Sequence, residues 1–299
     1  MVFCSAPTIA KMQSKLMSSP AYAITGLSSS ASLKVAIATH WREYLMEAAE
    51  LGVLMLGICL SGTLFYSSAS PLSRLALPRS GKAALMGFCV AATTFLIIRS
   101  SFGRRSGAHF NPAITLTYLW LGRIHRWDAL GYIVAQFCGA LAGVFVARQI
   151  LGMHLSAAPV QYVVTTPGTY GNATAFMAEF LLSGVLMGVV LFASNHRILA
   201  RFSPWLVASL TVLYYAVGSS ISGFSVNPAR TFSSAFFAWL WWGVWIYFIA
   251  PCLGMLTAAA IYIRAAGPAK VYCAKVFHDL HSPCPFPCRF QQIYRDTER

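Results

Sequence analysis

Apolar residues in this chain fall into six long runs and two short ones, separated by polar or turn-forming segments. The long runs cover about residues 44–66, 82–98, 129–151, 173–194, 204–220 and 244–263. Each is long enough for a helix to cross a bilayer core of about 30 Å. The two short runs start at Asn111 and Asn227 and last roughly ten residues, too few to cross it. The pattern predicts an all-α membrane protein with six transmembrane helices plus two re-entrant half-helices. Residues 1–42 read as an N-terminal tail with a short amphipathic piece near 31–42. Residues 43–264 form the membrane domain, and 265–299 a C-terminal tail.

Composition supports this division. Of 299 residues, 57% are hydrophobic and 10% charged, against about 25% charged in a soluble domain. The net charge of +14 would suggest nucleic acid in a soluble protein, but in a membrane protein it first reflects basic loops. No nucleic-acid partner is expected. Cys59, Cys89, Cys138 and Cys252 lie in apolar runs and read as inert buried residues. No secretory leader is apparent in residues 1–40.

Both short runs open on the same tripeptide, Asn111-Pro112-Ala113 and Asn227-Pro228-Ala229. Asn is a preferred N-cap because its side-chain oxygen accepts an orphan N–H of the first turn. Pro suits the next position, where its missing N–H costs nothing. The capping Asn keeps its amide NH2 free to point elsewhere. Each tripeptide follows a run of small and polar residues, from Ser106 and from Ser222.

Charge sets the orientation. Of the 22 Lys and Arg, 17 lie in segments 1–43, 99–129, 195–203 and 264–299, and 5 in the alternate loops. The bias predicts both termini cytoplasmic. Asn111 then sits on a loop entering from the cytoplasm and Asn227 on one entering from outside. Repeat 1 (about 43–151) and repeat 2 (about 173–264) are an inverted pair, and Ala49-Glu50-Leu51 matches Ala178-Glu179-Phe180. Inverted repeats with broken helices place the functional site near the midplane.

Two half-helices meeting N-terminus to N-terminus each present about half a positive charge. A cation about 5 Å from both feels roughly +3 kcal/mol at an effective dielectric near 20. Such a pore repels cations and breaks a proton-conducting file of water. Arg230, directly after the second tripeptide, reads as pore-facing, since an Arg at membrane depth marks a pathway. Glu50 and Glu179 read as loop-bracing carboxylates that accept N–H groups of the irregular loops, with a proton relay as the alternative. Glu47, one turn earlier, is expected to be solvated near the interface. His109 reads as pore-lining at the cytoplasmic entrance. Gly139/Gly143 and Gly184/Gly188 are small-residue pairs for close helix packing.

In the tail, His278, His281, Cys284 and Cys288 have spacings that could hold zinc. Pro283, Pro285 and Pro287 argue for an extended tail, and nothing else completes a site, so no metal is expected. No catalytic triad, P-loop or dinucleotide fingerprint is present, and an enzyme is not expected.

The segments Ser-Gly-Ala-His-Phe-Asn-Pro-Ala (106–113) and Gly-Phe-Ser-Val-Asn-Pro-Ala-Arg (223–230), with the two Ala-Glu segments, resemble the aquaporin and glycerol-facilitator family over about residues 43–264. The resemblance implies an aquaporin-like bundle, one pore per subunit, a homotetramer in the plasma membrane, and no cofactor. Asn111, Pro112, Ala113, Asn227, Pro228 and Ala229 would form the central constriction. The family's selectivity filter falls on Ala91, Tyr215, Phe224 and Arg230, with Phe88 or Thr94 replacing Ala91 if the spacing to Asn111 differs. Thr231, Ala235 and Tyr247-Phe248 resemble the water-channel branch. The implied function is a passive water channel excluding ions and protons, with water, small neutral solutes and the lipid bilayer as partners. Alternatives are a glycerol, ammonia or peroxide facilitator, a coupled transporter, or a structural membrane protein.

Overall fold

A computed structural model describes residues 32–279 and 281–295, and all regular structure among them is helical. Eight helices carry the architecture. They are α1 (Leu33–Tyr66), α2 (Arg79–Arg99), the half-helix α3 (Pro112–Trp120) and α4 (Arg126–Leu151) in the first half. The second half has α5 (Gly171–Ser194), α6 (Ser203–Gly218), the half-helix α7 (Pro228–Ala238) and α8 (Val244–Ala266). Six crossing helices and two half-helices are therefore present, as the apolar pattern predicts.

Two boundaries differ from expectation. The amphipathic piece near 31–42 is not separate, because no Gly or Pro lies between Leu33 and Glu50 to end the helix. Instead, α1 is continuous for 34 residues, about 51 Å at 1.5 Å per residue, so it exceeds the bilayer core. Its first turns are tied to α4 by His40 Nδ1 and the Tyr44 hydroxyl, 2.8 and 2.7 Å from Asp128 Oδ1. The other difference is α6, which has only 16 residues and follows a 3-10 turn, Leu199–Phe202. The remaining five crossing helices have the length and apolar composition of membrane spans. Residues 1–31, most of the expected N-terminal tail, lie outside the described residues.

Close packing explains the glycines. A Cβ on Gly139 would lie 2.0 Å from the Ala48 carbonyl oxygen, and one on Gly143 2.2 Å from that of Gly52. These contacts seat α4 against α1. The second half repeats the device with a different pair, since a Cβ on Gly254 would lie 2.1 Å from the Phe180 carbonyl oxygen. Gly184 faces Gly254 at 3.3 Å, whereas Gly188 meets nothing within 4 Å. The small residue that matters for α5–α8 is therefore Gly254, not Gly188. Between the halves, Gly87 of α2 admits Tyr215 of α6, whose Cβ lies 2.6 Å from a Cβ placed on that glycine. Lipid supplies no hydrophobic drive between helices, so backbone approach of this kind supplies much of the association.

A belt of exposed apolar side chains surrounds the bundle, including Phe88, Leu96, Phe145, Phe192 and Trp239. A surface of this kind is stable when covered by acyl chains or another subunit. Gly139→Val should clash with the Ala48 carbonyl, whereas Gly188→Ala should be tolerated. Thermal unfolding of the two variants in detergent is expected to show a loss of several degrees or no folded protein for the first, and little change for the second.

Candidate functional site

The two Asn-Pro-Ala segments adopt the cap geometry their sequence predicts. Asn111 is extended at φ −156° and ψ 118°, and its Oδ1 accepts the Ala113 N–H at 2.9 Å. Asn227 is extended at φ −144° and ψ 110°, and its Oδ1 accepts from the Ala229 and Arg230 N–H groups at 3.1 and 3.3 Å. The free amides also cross-link the loops. Asn111 Nδ2 donates to the Val226 carbonyl and Asn227 Nδ2 to the Phe110 carbonyl, both at 2.8 Å. Each cap thus fixes the residue just before the other. An amide has two N–H donors, so one on each Asn remains after this cross-link.

The loops feeding these caps are strained. Ala108 and Phe110 have φ of 55° and 28°, and Phe224 and Val226 have φ of 48° and 50°. Side chains rarely adopt such values, at a cost of order 1–3 kcal/mol each, unless the surroundings over-determine them. Buried carboxylates do that here. Glu179 accepts from the Ser222 hydroxyl at 2.7 Å and from the Ser225 and Val226 N–H groups at 2.9 and 2.7 Å. Its carboxylate thereby ties the loop before Asn227 to α5.

The first repeat divides the same work between two residues. Glu47, not Glu50, takes the backbone donors, at 2.9 Å from the His109 nitrogen and 2.7 Å from the Phe110 nitrogen. It is fully buried, not solvated. Glu50 accepts only the Ser106 hydroxyl, at 2.7 Å. The Ala-Glu match between the halves therefore misaligns the brace by one helical turn. Gln136 is the signal that could have located it. A fully buried amide needs an acceptor, and Gln136 Nε2 donates to Glu47 at 2.7 Å. The tyrosines Tyr132 and Tyr247 complete the symmetry, donating to the Ser106 and Ser222 carbonyls at 2.6 and 2.5 Å.

Between the halves lies a cavity of about 80 Å³, enough for several waters. Asn111 and Asn227 line it, with Tyr215, Phe224 and Arg230. The Phe224 ring stands edge-on to Tyr215, centroids 5.0 Å apart at 82°. Arg230 is 3% exposed, and its Nη1 has no protein partner. Tyr215 and Arg230 also line a larger vestibule of about 770 Å³, so they form the partition between the two spaces. Three of the four expected filter positions therefore converge.

Ala91 does not join them. It is buried on α2, while Val90 and Thr94 present their side chains to the cavity. One residue along a helix turns the side chain by about 100°. Phe88 is 67% exposed on the outer surface, which removes it as a substitute. His109 is also not a cavity residue. It is fully buried, its Nε2 is 2.5 Å from the Ala274 carbonyl, and Phe286 stacks on it at 5.6 Å. The covering residues belong to the C-terminal segment, which is not extended. Residues 271–277 are buried against the bundle, and Val276 lines the cavity. His281 is exposed on this segment.

The sequence model described as major intrinsic protein matches residues 12–262. The chain belongs to the major intrinsic protein family. It is 32% identical over 186 residues to a probable NIP-type aquaporin of Nicotiana alata, covering 61% of this chain and 66% of that protein. It is 33% identical over 163 residues to nodulin-26 of Glycine max, covering 54% of this chain and 58% of that one. The chain thus spans roughly three-fifths of these relatives' own length. The X-ray structure of the aquaglyceroporin from Plasmodium falciparum has the same fold, with a TM-score of 0.63 at 21% identity, covering 78% of this chain and 99% of that one.

The division between the two glutamates is testable in this family member. Glu47→Ala removes the acceptor of two buried backbone N–H groups and of the Gln136 amide, each bond worth about 1.5–3 kcal/mol with a charged acceptor, whereas Glu50→Ala removes that of one hydroxyl. Thermal unfolding is expected to show the larger loss for Glu47→Ala. Equal losses would assign the brace to both residues alike.

Proposed function

We propose that this chain is a passive transmembrane water channel that excludes ions and protons. The observation that carries the reading is the meeting of two Asn-capped half-helices at one cavity beside an Arg with an unpartnered Nη1. Both half-helix N-termini and the guanidinium present positive potential and N–H donors. A neutral acceptor such as a water oxygen is stabilised there, and a cation is repelled. The Asn donors orient a central water so that it cannot accept a proton along the file.

Residues 43–264 carry this activity, as repeats 43–151 and 173–264, with Tyr215, Phe224 and Arg230 as the filter and Val90 in place of Ala91. The chain acts in the plasma membrane with both termini cytoplasmic and assembles as a homotetramer. The charge bias of the loops and the exposed apolar belt support these points. Thr231, Ala235 and the Tyr247-Phe248 pair favour water over glycerol by their resemblance to the water-channel branch.

A second reading, passage of glycerol, ammonia or peroxide, is favoured by the apolar part of the cavity wall. Ile58, Val90 and the aromatic Phe224 line it and offer surface for a carbon backbone. Parallel stopped-flow measurements of water, glycerol and ammonia flux on one proteoliposome preparation separate the readings. Fast water flow with low activation energy and slow glycerol flow is expected, and a water rate equal to that of empty liposomes would sink the proposal. Arg230→Val is expected to raise glycerol or proton flux, because it removes both bulk and charge from the partition. Unchanged exclusion in that variant would count against Arg230 as a filter residue.

A further inference from the structure

The C-terminal segment brings together four residues spread over positions 273–288. Cys273, His278, Cys284 and Cys288 place one ligand atom each within 4.8 Å of all the others. Cys273 Sγ is 3.4 Å from Cys284 Sγ, and His278 Nε2 is 3.1 Å from Cys288 Sγ. A tetrahedral zinc site with Zn–S near 2.3 Å and Zn–N near 2.0 Å has edges of roughly 3.5–3.8 Å. The two closest contacts lie a few tenths of an ångström inside that edge, and the remaining pairs fall within 4.8 Å.

We propose that Cys273, His278, Cys284 and Cys288 bind one zinc ion, and that the bound ion holds the C-terminal segment across one mouth of the channel. The donor set is three soft thiolates and an imidazole with no open position, which is the composition of a closed structural zinc site. The paired spacings H-x2-H and C-x3-C point to a different set. Cys273 replaces His281, because the chain turns back on itself between residues 273 and 288.

The surroundings are built for such a centre. The His278 ring stacks on Phe290 at 4.3 Å and 8°, which fixes its plane. The Phe290 N–H is directed at Cys288 Sγ at 3.5 Å, a common support for a metal-bound sulfur. Three thiolates and Zn²⁺ leave a net charge of −1. Lys275 is 1% exposed, and its ammonium donates to the carbonyls of Arg104 and of Pro283, the residue before Cys284. A buried ammonium held only by carbonyls is costly; beside an anionic metal centre it is the countercharge. The segment otherwise has little to fold it. Between Val271 and Gln291 the described residues form no helix or strand, and three prolines interrupt the second half. A short segment of this kind needs a metal or cross-link to hold one shape.

The metal would act on the channel through residues 274–277, which lie between the first two ligands. Val276 lines the cavity beside the loop of Gly107, whereas Arg230 borders the vestibule. Its N–H donates to the Gly107 carbonyl at 3.0 Å, and its carbonyl accepts from the Ser203 hydroxyl at 2.6 Å. Ala274 and Phe286 cover His109 on the loop that enters the half-helix α3. Binding the ion closes this loop and lowers the entropy cost of docking it. Releasing the ion frees the cap.

The test uses the full-length chain purified with reductant, by elemental analysis for zinc and by water flux in proteoliposomes. One zinc per chain is expected, and close to none in a Cys273→Ser/Cys284→Ser variant. A strong zinc chelator is expected to raise water flux several-fold, with reversal on adding zinc back, and the variant should be constitutively fast. A purified chain that holds no zinc and takes none up overturns the site. Stoichiometric zinc with flux unchanged by the chelator overturns the cap. The flux arm rests on the channel reading, whereas the zinc content does not. If no water flows with or without metal, the water reading fails, while zinc content decides the site and chelator-dependent glycerol or ammonia flux decides the cap.

Discussion

Two breaks in the backbone near the middle of the membrane set the main constraint on this structure. Lipid offers no partner for a stray N–H or C=O, so each break must be satisfied by the protein. The Asn side chains do this twice over. Their oxygens cap their own half-helices, and their amides reach the carbonyl just before the opposite cap. Neither half can seat its loop without the other. The inverted repeat is therefore a mutual hydrogen-bond requirement as well as a sequence symmetry.

The second ring of support is also polar and fully inside. Glu179, and Glu47 with Glu50, hold the loops from behind while Tyr132 and Tyr247 fix the carbonyls at Ser106 and Ser222. Thr115 and Thr231 play matching parts, contacting His109 Nδ1 at 3.1 Å and the Ser225 hydroxyl at 2.5 Å. The symmetry fails at His109, whose counterpart is Ser225. His109 is the side chain that the C-terminal segment covers, so the departure falls where one mouth of the channel is treated differently from the other.

The electrostatics of the cavity follow from these same groups. Positive half-helix ends, residual amide donors and the unpartnered Arg230 nitrogen all face one small space. Apolar side chains such as Ile58 and Val90 form the rest of its wall. An uncharged hydrogen-bond acceptor has partners at a few fixed points and a slippery wall between them.

Much of this was legible in the order of residues. The apolar runs gave six crossings and two half-helices, because a helix must be about 20 residues long to span hydrocarbon. The duplicated Asn-Pro-Ala fixed where those half-helices begin, because capping is a local interaction. The family resemblance, counted from those caps, pointed to Tyr215, Phe224 and Arg230, which line the cavity. Tertiary structure decided what depends on rotation and on distant contacts. A helical residue changes direction by about 100° from its neighbour, so Val90 rather than Ala91 faces the cavity, and Glu47 rather than Glu50 meets the loop. Gly254 packs against α5 because of where another helix runs, and Gly188, in a similar motif, packs against nothing. The fate of the tail was least visible of all. Its prolines signal an extended chain, but the docking of Val276 and the gathering of Cys273 with His278, Cys284 and Cys288 arise only when the described residues of the segment, 271–279 and 281–293, fold back onto the bundle.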